Sequence, residues 1–260
     1  MYWALTTDLV DMRGHEFEQV LGDIQSLNQW ARCGRLEVTA LSLAAYPFVQ
    51  QDYALLPHGA SIGSGYGPIV VAREPLAVAD LAELEIVVPG TMTTSFLALR
   101  LVLDGFRYRE LPFDEIPDEV SSGRAEAGLL IHEGQLTFED YGLTKVLDLG
   151  EWWLLETGLP LPLGVNVVRR DLGESVLHEV SQVLRDAIQC GLDNRAEALD
   201  YALQFGRGID AAVADRFVSM YVNDLTKDYG DEGRKAVTEL LQRGEELGAF
   251  PEPVQLDWVR

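Results

Sequence analysis

"GSGYGPIVVARE", Gly63 to Glu74, places three glycines in five residues directly ahead of an apolar run. A dinucleotide-binding fingerprint has to follow a strand and open a helix. This stretch leads into a strand instead, so its glycines are a flexible turn rather than a phosphate cradle. The same grammar returns in "ETGLPLPLGVNVVRRDLGE", Glu156 to Glu174, where Gly and Pro again precede an apolar run. If each stretch carries the chain from one lobe to another, residues 75–162 form an inserted α/β lobe. Residues 1–74 and 163–260 then form the other, discontinuous lobe, which carries the C-terminal helices. Two crossings make a hinge, and a cleft between lobes is a natural binding site.

Short apolar segments and helical patterns alternate outward from these crossings. Strands are expected at Leu36–Ala40, Tyr66–Ala72, Leu84–Val88, Glu126–Ile131, Lys145–Asp148 and Leu163–Arg169. Helices are expected between them at Asp23–Arg32, Leu43–Val49, Thr94–Asp104 and Asp114–Ser122. That alternation predicts an α/β fold with largely parallel sheets. From Glu174 onward the pattern is helical: Glu174–Cys190, Arg195–Phe205, Ala211–Asp224 and Glu232–Leu247. Gly191, Gly206, Gly208 and Gly230 separate these helices, and Asp210 is placed to cap the third. There is no internal repeat.

Composition excludes several classes of function. With 47% apolar residues over 260 positions the chain is globular. No window approaches the roughly 20 apolar residues that span a bilayer, and the start "MYWALTTDLVDMRGHEF" has no basic region or cleavage site for export. The net charge of −22 argues against nucleic acid and anionic membrane as partners. Cys33 and Cys190 are isolated, as suits a reducing cytoplasm. Lysine occurs only at Lys145, Lys227 and Lys235, against 17 arginines, a bias that fits either a high-salt cytoplasm or a GC-rich genome.

Chemistry concentrates in three places. In "RAEAGLLIHEGQLTFEDYGL", Arg124 to Leu143, the run Ala127–Ile131 has the length of a strand buried on both faces. His132 follows it, so an ionisable ring stands at the carboxyl end of a sheet, the edge where α/β folds bind ligands. The plainer alternative is a polar residue opening a surface loop. In "VVPGTMTTSFLALRLVL", Val87 to Leu103, a strand ends in Pro-Gly, and Thr91, Thr93, Thr94 and Ser95 precede an apolar helix. One hydroxyl caps such a helix; the remaining ones, with the free N–H groups, suit an anion. In "EVTALSLAAYPFV", Glu37 to Val49, Ser42 joins a strand to a helix on the other lobe. His15, His58 and His178 read as surface residues, and Trp152 and Trp153 as core. No nucleophile with an adjacent base stands out, and neither His-Glu-x-x-His nor Cys-x-x-Cys is present, so neither a serine nucleophile nor a metal is expected.

"YALLPHGASIGSGYGPIVVA", "TMTTSFLALRLVL", "EAGLLIHEGQLTFEDYGL", "DLGEWWLLETGLPLPLG" and "YVNDLTKDYGDEGRKAV" together resemble the 1,4-dihydroxy-6-naphthoate synthase family of the futalosine route to menaquinone. The resemblance runs from about Ala4 to the C-terminus with the motifs in the family's order. It implies a two-lobed fold like that of type II periplasmic binding proteins, in a cytoplasmic enzyme. The implied reaction is a lyase step, cyclic dehypoxanthinyl futalosine giving 1,4-dihydroxy-6-naphthoate and a sugar-derived fragment, without metal or redox cofactor. It makes His132 the general base, and Ser42, Thr93, Thr94 and Ser95 the residues that bind a small acidic substrate.

Two departures stand out. Ala40 occupies a position where many relatives carry a basic residue, so one substrate contact is expected to be lost. The family also opens with a strand and a Ser-Pro-Cys-Pro-Asn-Asp-Thr loop upstream of what is here "MYWAL", so a start upstream of Met1 is expected. The competing readings are a chorismate dehydratase of the same pathway, which lacks Ile-His-Glu, and a non-catalytic binding protein for a small acid. Oligomeric state is not legible.

Overall fold

A computed structural model describes residues 2–205 and 211–260. After a 3₁₀ turn at Tyr2–Thr6 come α1 (Ile24–Arg32), β1 (Val38–Ser42), a 3₁₀ segment at Leu43–Phe48, β2 (Tyr53–Leu55), β3 (Ser61–Gly63) and β4 (Ile69–Ala72). There follow β5 (Glu85–Val88), α2 (Thr94–Val102), β6 (Arg107–Glu110), α3 (Ile116–Ser121), β7 (Ala127–Leu130) and α4 (Gly134–Thr137). Then come β8 (Thr144–Asp148), α5 (Leu149–Thr157) and β9 (Leu161–Arg169). The rest is helical: α6 (Glu174–Asp193), α7 (Arg195–Leu203), α8 (Ala211–Tyr221), α9 (Asp224–Lys227) and α10 (Gly230–Glu246). Gly206, Gly208 and the expected cap Asp210 lie outside the described residues.

Among the described residues there are two sheets. One has β1, β9 and β2 in order, with β3 also paired to β9; the other has the order β6-β5-β7-β4-β8. The chain passes from the first to the second between β3 and β4, and back between α5 and β9.

The expectation of largely parallel sheets is corrected. β9 runs antiparallel to β1, β2 and β3, and β4 runs antiparallel to β7 and β8. Among the described residues the parallel strand pairs are β5 with β6 and β5 with β7. The reason is connectivity. Helical crossovers α2 and α3 join β5, β6 and β7, and such crossovers make neighbours parallel. β4 and β9 instead enter their sheets from the opposite one, with no crossover helix fixing their direction.

The first crossing packs against the start of α5 at Gly67 and Gly150. The Leu149 amide donates to the Pro68 carbonyl at 2.9 Å. A Cβ on Gly150 would collide with the carbonyl of Tyr66 and the amide of Gly67, which only glycine avoids. One continuous core joins the sheets, with Leu41, Leu55 and Val165 from the first packed with Val70, Ile86 and Leu129 from the second.

Candidate active site

All four residues of β7 are buried, as an apolar run without alternation requires. Two residues past its carboxyl end the backbone turns left-handed at His132, φ +53°. A non-glycine residue pays about 1–2 kcal/mol there, and the conformation persists where its surroundings enforce it. The Phe113 ring meets the imidazole edge-on, with centroids 4.8 Å apart at 71°, and Phe217 lies at 6.2 Å. A cleft of about 560 Å³ opens beside it, lined by Asp23, Ile24 and Leu27 of the α1 region and by Phe113, His132 and Glu133.

Asp23 caps α1, accepting from the Ser26 amide at 3.0 Å and the Ser26 hydroxyl at 2.6 Å. Burial pushes its carboxyl up, but the hydrogen bonds from Ser26 and neighbouring amides outweigh that and hold it below the usual carboxylate range. The His132 cleft therefore carries a fixed negative charge.

Ser42, Thr93, Thr94 and Ser95 form a second, buried group, each no more than 5% exposed. Thr93 is the α2 cap, accepting from the Phe96 amide at 3.2 Å and donating to the Gly90 carbonyl at 2.7 Å. Its one proton is thereby used, so in the 2.9 Å contact with Ser95 it is Ser95 that donates. Thr94 donates to the Leu163 carbonyl of β9 at 2.6 Å and accepts from the Ala44 amide at 3.2 Å. It is a strut from α2 to the opposite sheet. The Thr94 and Ser95 amides are in the first turn, where an α-helix offers no intrahelical acceptor.

Residues on α1 wall both groups. Ile24 and Leu27 face the His132 cleft, while Asn28 bonds Ser42 and its amide nitrogen lies 3.5 Å from the Met92 carbonyl. A side chain on Gly90, φ +150°, would run into Gln25, whose Oε1 is buried without a hydrogen-bond partner among the described residues. Sequence reasoning passed over Asn28. Its signal is its place in the stripe Ile24, Leu27, Asn28, Ala31, where a core residue belongs.

Ala40 sits opposite Asn166 in the β1–β9 ladder. Trp153 is fully buried with its indole N–H donating to the Pro160 carbonyl at 3.1 Å, a core residue as expected. His58 departs from expectation. It is 2% exposed, its Nε2 is 2.9 Å from the Ser181 hydroxyl, and burial lowers its pKa to about 4. The Pro57-His58-Gly59 turn is covered by α6 and α9, which a local reading of the turn does not reveal. His15 pairs with Glu179 at 2.8 Å, and His178 lies 2.9 Å from the Arg260 carbonyl. Among the described residues, no group of three or more His, Cys, Asp or Glu could hold a metal ion. No helix among them is long and apolar enough to cross a membrane.

Comparison with known proteins places this geometry in context. The profile of a family described as menaquinone biosynthesis matches residues 1–246. A 1,4-dihydroxy-6-naphthoate synthase of Thermus thermophilus is 43% identical over 237 residues, 91% of this chain and 86% of that protein. One from Streptomyces coelicolor is 38% identical over 235 residues, 88% of this chain and 83% of that protein. A crystal structure of an Archaeoglobus fulgidus protein superposes with a TM-score of 0.91 at 42% identity, covering 96% of this chain and 93% of the other. An alkanesulfonate-binding protein of Xanthomonas axonopodis superposes at 0.67 with 15% identity, covering 88% and 81%, so the fold is periplasmic-binding-protein-like. The chain belongs to the menaquinone biosynthesis family.

Proposed function

We propose that this protein is a 1,4-dihydroxy-6-naphthoate synthase, a cytoplasmic carbon–carbon lyase that takes cyclic dehypoxanthinyl futalosine to the naphthoate. The observation that carries the reading is the Ile131-His132-Glu133 motif at the carboxyl end of β7, with its imidazole on the wall of a ligand-sized cleft. His132 acts as general base, removing a proton from the substrate as the sugar-derived fragment departs.

Electrostatics supports one orientation of the acidic substrate. Asp23 and Glu133 flank His132, so an anionic group there is repelled. The first turn of α2 offers the amides of Thr94 and Ser95 at the positive end of the helix dipole, where an anion is favoured. The acid group belongs at that end, beside Ser42 and Thr93, and the reacting carbon toward His132. The segment from β4 to α5 acts as a lobe that closes on the other by bending at the two crossings.

The test is incubation of the purified protein with cyclic dehypoxanthinyl futalosine and detection of 1,4-dihydroxy-6-naphthoate by mass. Binding without product would overturn the enzymatic reading in favour of a binding protein.

A further inference from the structure

Gln135 is a buried polar residue one turn past His132, 9% exposed, that base chemistry does not require. Its partners fix which end of its amide points where. The Gly67 carbonyl can only accept and the His132 amide can only donate. With its nitrogen toward Gly67, the Gln135 side chain donates to that carbonyl and to the Tyr221 hydroxyl, each at 2.6 Å. Its oxygen accepts from the His132 amide at 3.2 Å. The Gln135 backbone amide in turn donates to the His132 carbonyl at 3.2 Å. Both main-chain polar groups of His132 are thus bound by one residue.

We infer that Gln135 is a positioning residue that locks the left-handed backbone of His132 and ties it to a crossing and to the C-terminal helices. The inference rests on His132 being the base. Three segments meet at this amide: the loop after β7, the β3–β4 crossing at Gly67, and α8 at Tyr221. Tyr221 is itself held, its ring edge-on to Tyr66 with centroids 5.6 Å apart, and the Tyr66 hydroxyl donates to the Met220 carbonyl. A change in how the crossing and α8 sit therefore reaches the imidazole through hydrogen bonds. Closure of the lobes and alignment of the base are coupled through this side chain.

The test uses Gln135→Leu, Tyr221→Phe and the double variant, with cyclic dehypoxanthinyl futalosine as substrate and the His132 amide observed by NMR hydrogen exchange. Gln135→Leu should lower kcat by roughly tenfold to a hundredfold, the scale of a small misplacement of a reacting group, while KM stays within about threefold. Exchange of the His132 amide should quicken. Tyr221→Phe, which keeps the ring packing and leaves Gln135 in place, should lower kcat less. The double variant should be no worse than Gln135→Leu, because the two groups act as one unit. Should Gln135→Leu fail to fold, Tyr221→Phe carries the same readouts. Wild-type kcat, a loss confined to KM, or unchanged exchange at His132 would overturn the inference. If His132→Asn is inactive while Gln135→Leu keeps full turnover, only the positioning role falls; if His132→Asn is active, the base reading falls with it.

Discussion

Asn28 grips Ser42 at two points: its side-chain oxygen accepts from the Ser42 amide at 2.8 Å, and its nitrogen donates to the Ser42 hydroxyl at 3.1 Å. Both residues are buried, so water does not replace what a substitution removes. Asn28→Ala should cost about 1–3 kcal/mol, the penalty of an orphaned buried amide. It should also raise KM, since Ser42 is then free to turn from the substrate. Thermal melts and steady-state kinetics check both; a raised KM with an unchanged melt would mean that the bond orients Ser42 without supporting the fold.

Thr94 separates anchoring from binding. Thr94→Val keeps the shape but removes a donor to Leu163 and an acceptor from Ala44, at a cost of about 1–3 kcal/mol. The anion is assigned to backbone amides, which the substitution leaves in place. Affinity should therefore fall less than stability, as calorimetry of product binding would show. A collapse in affinity with an intact melt would make the hydroxyl itself the ligand.

How much of this was legible in the sequence follows from range. β7 and His132 were readable because an unalternating apolar run and the polar residue ending it are neighbours in the chain. The Thr93–Ser95 cluster was readable for the same local reason. Strand direction was not, because β4 and β9 take theirs from lobe crossings rather than from adjacent helices. β2, β3 and β6 were missed as well; the first two are only three residues long, and Arg107–Glu110 is a charged edge strand without an apolar face. His58 looked exposed because its cover comes from Ser181, 123 positions away. The Gln135 clasp is hidden similarly, since Tyr221 lies 86 positions on.

His58 should give stability a pH dependence. Burial is the main cause of its lowered pKa of about 4, and its Nδ1 has no hydrogen-bond partner among the described residues. Between that value and the ordinary 6.5 the unfolded chain binds more protons than the folded one, so stability is complete above about pH 6.5 and is lost as pH falls toward 4. The full difference corresponds to roughly 3 kcal/mol at 1.36 kcal/mol per tenfold change. Melting the wild type and His58→Gln across that range checks it: the variant should show a shallower decline, and equal slopes would contradict the assignment.

Lobe closure predicts a more compact particle with ligand. Small-angle scattering should show a smaller radius of gyration at saturating naphthoate than without it. Superimposable profiles would contradict a hinge at the two crossings.

The central claim is that His132 removes a proton from cyclic dehypoxanthinyl futalosine, and single-turnover kinetics of His132→Asn against wild type tests it most directly. Asn tolerates the left-handed backbone that His132 adopts, so the fold and substrate binding should persist. Naphthoate formation should fall by roughly a hundredfold or more, the scale of losing acid–base catalysis. Product formed by His132→Asn at close to the wild-type rate would contradict the account.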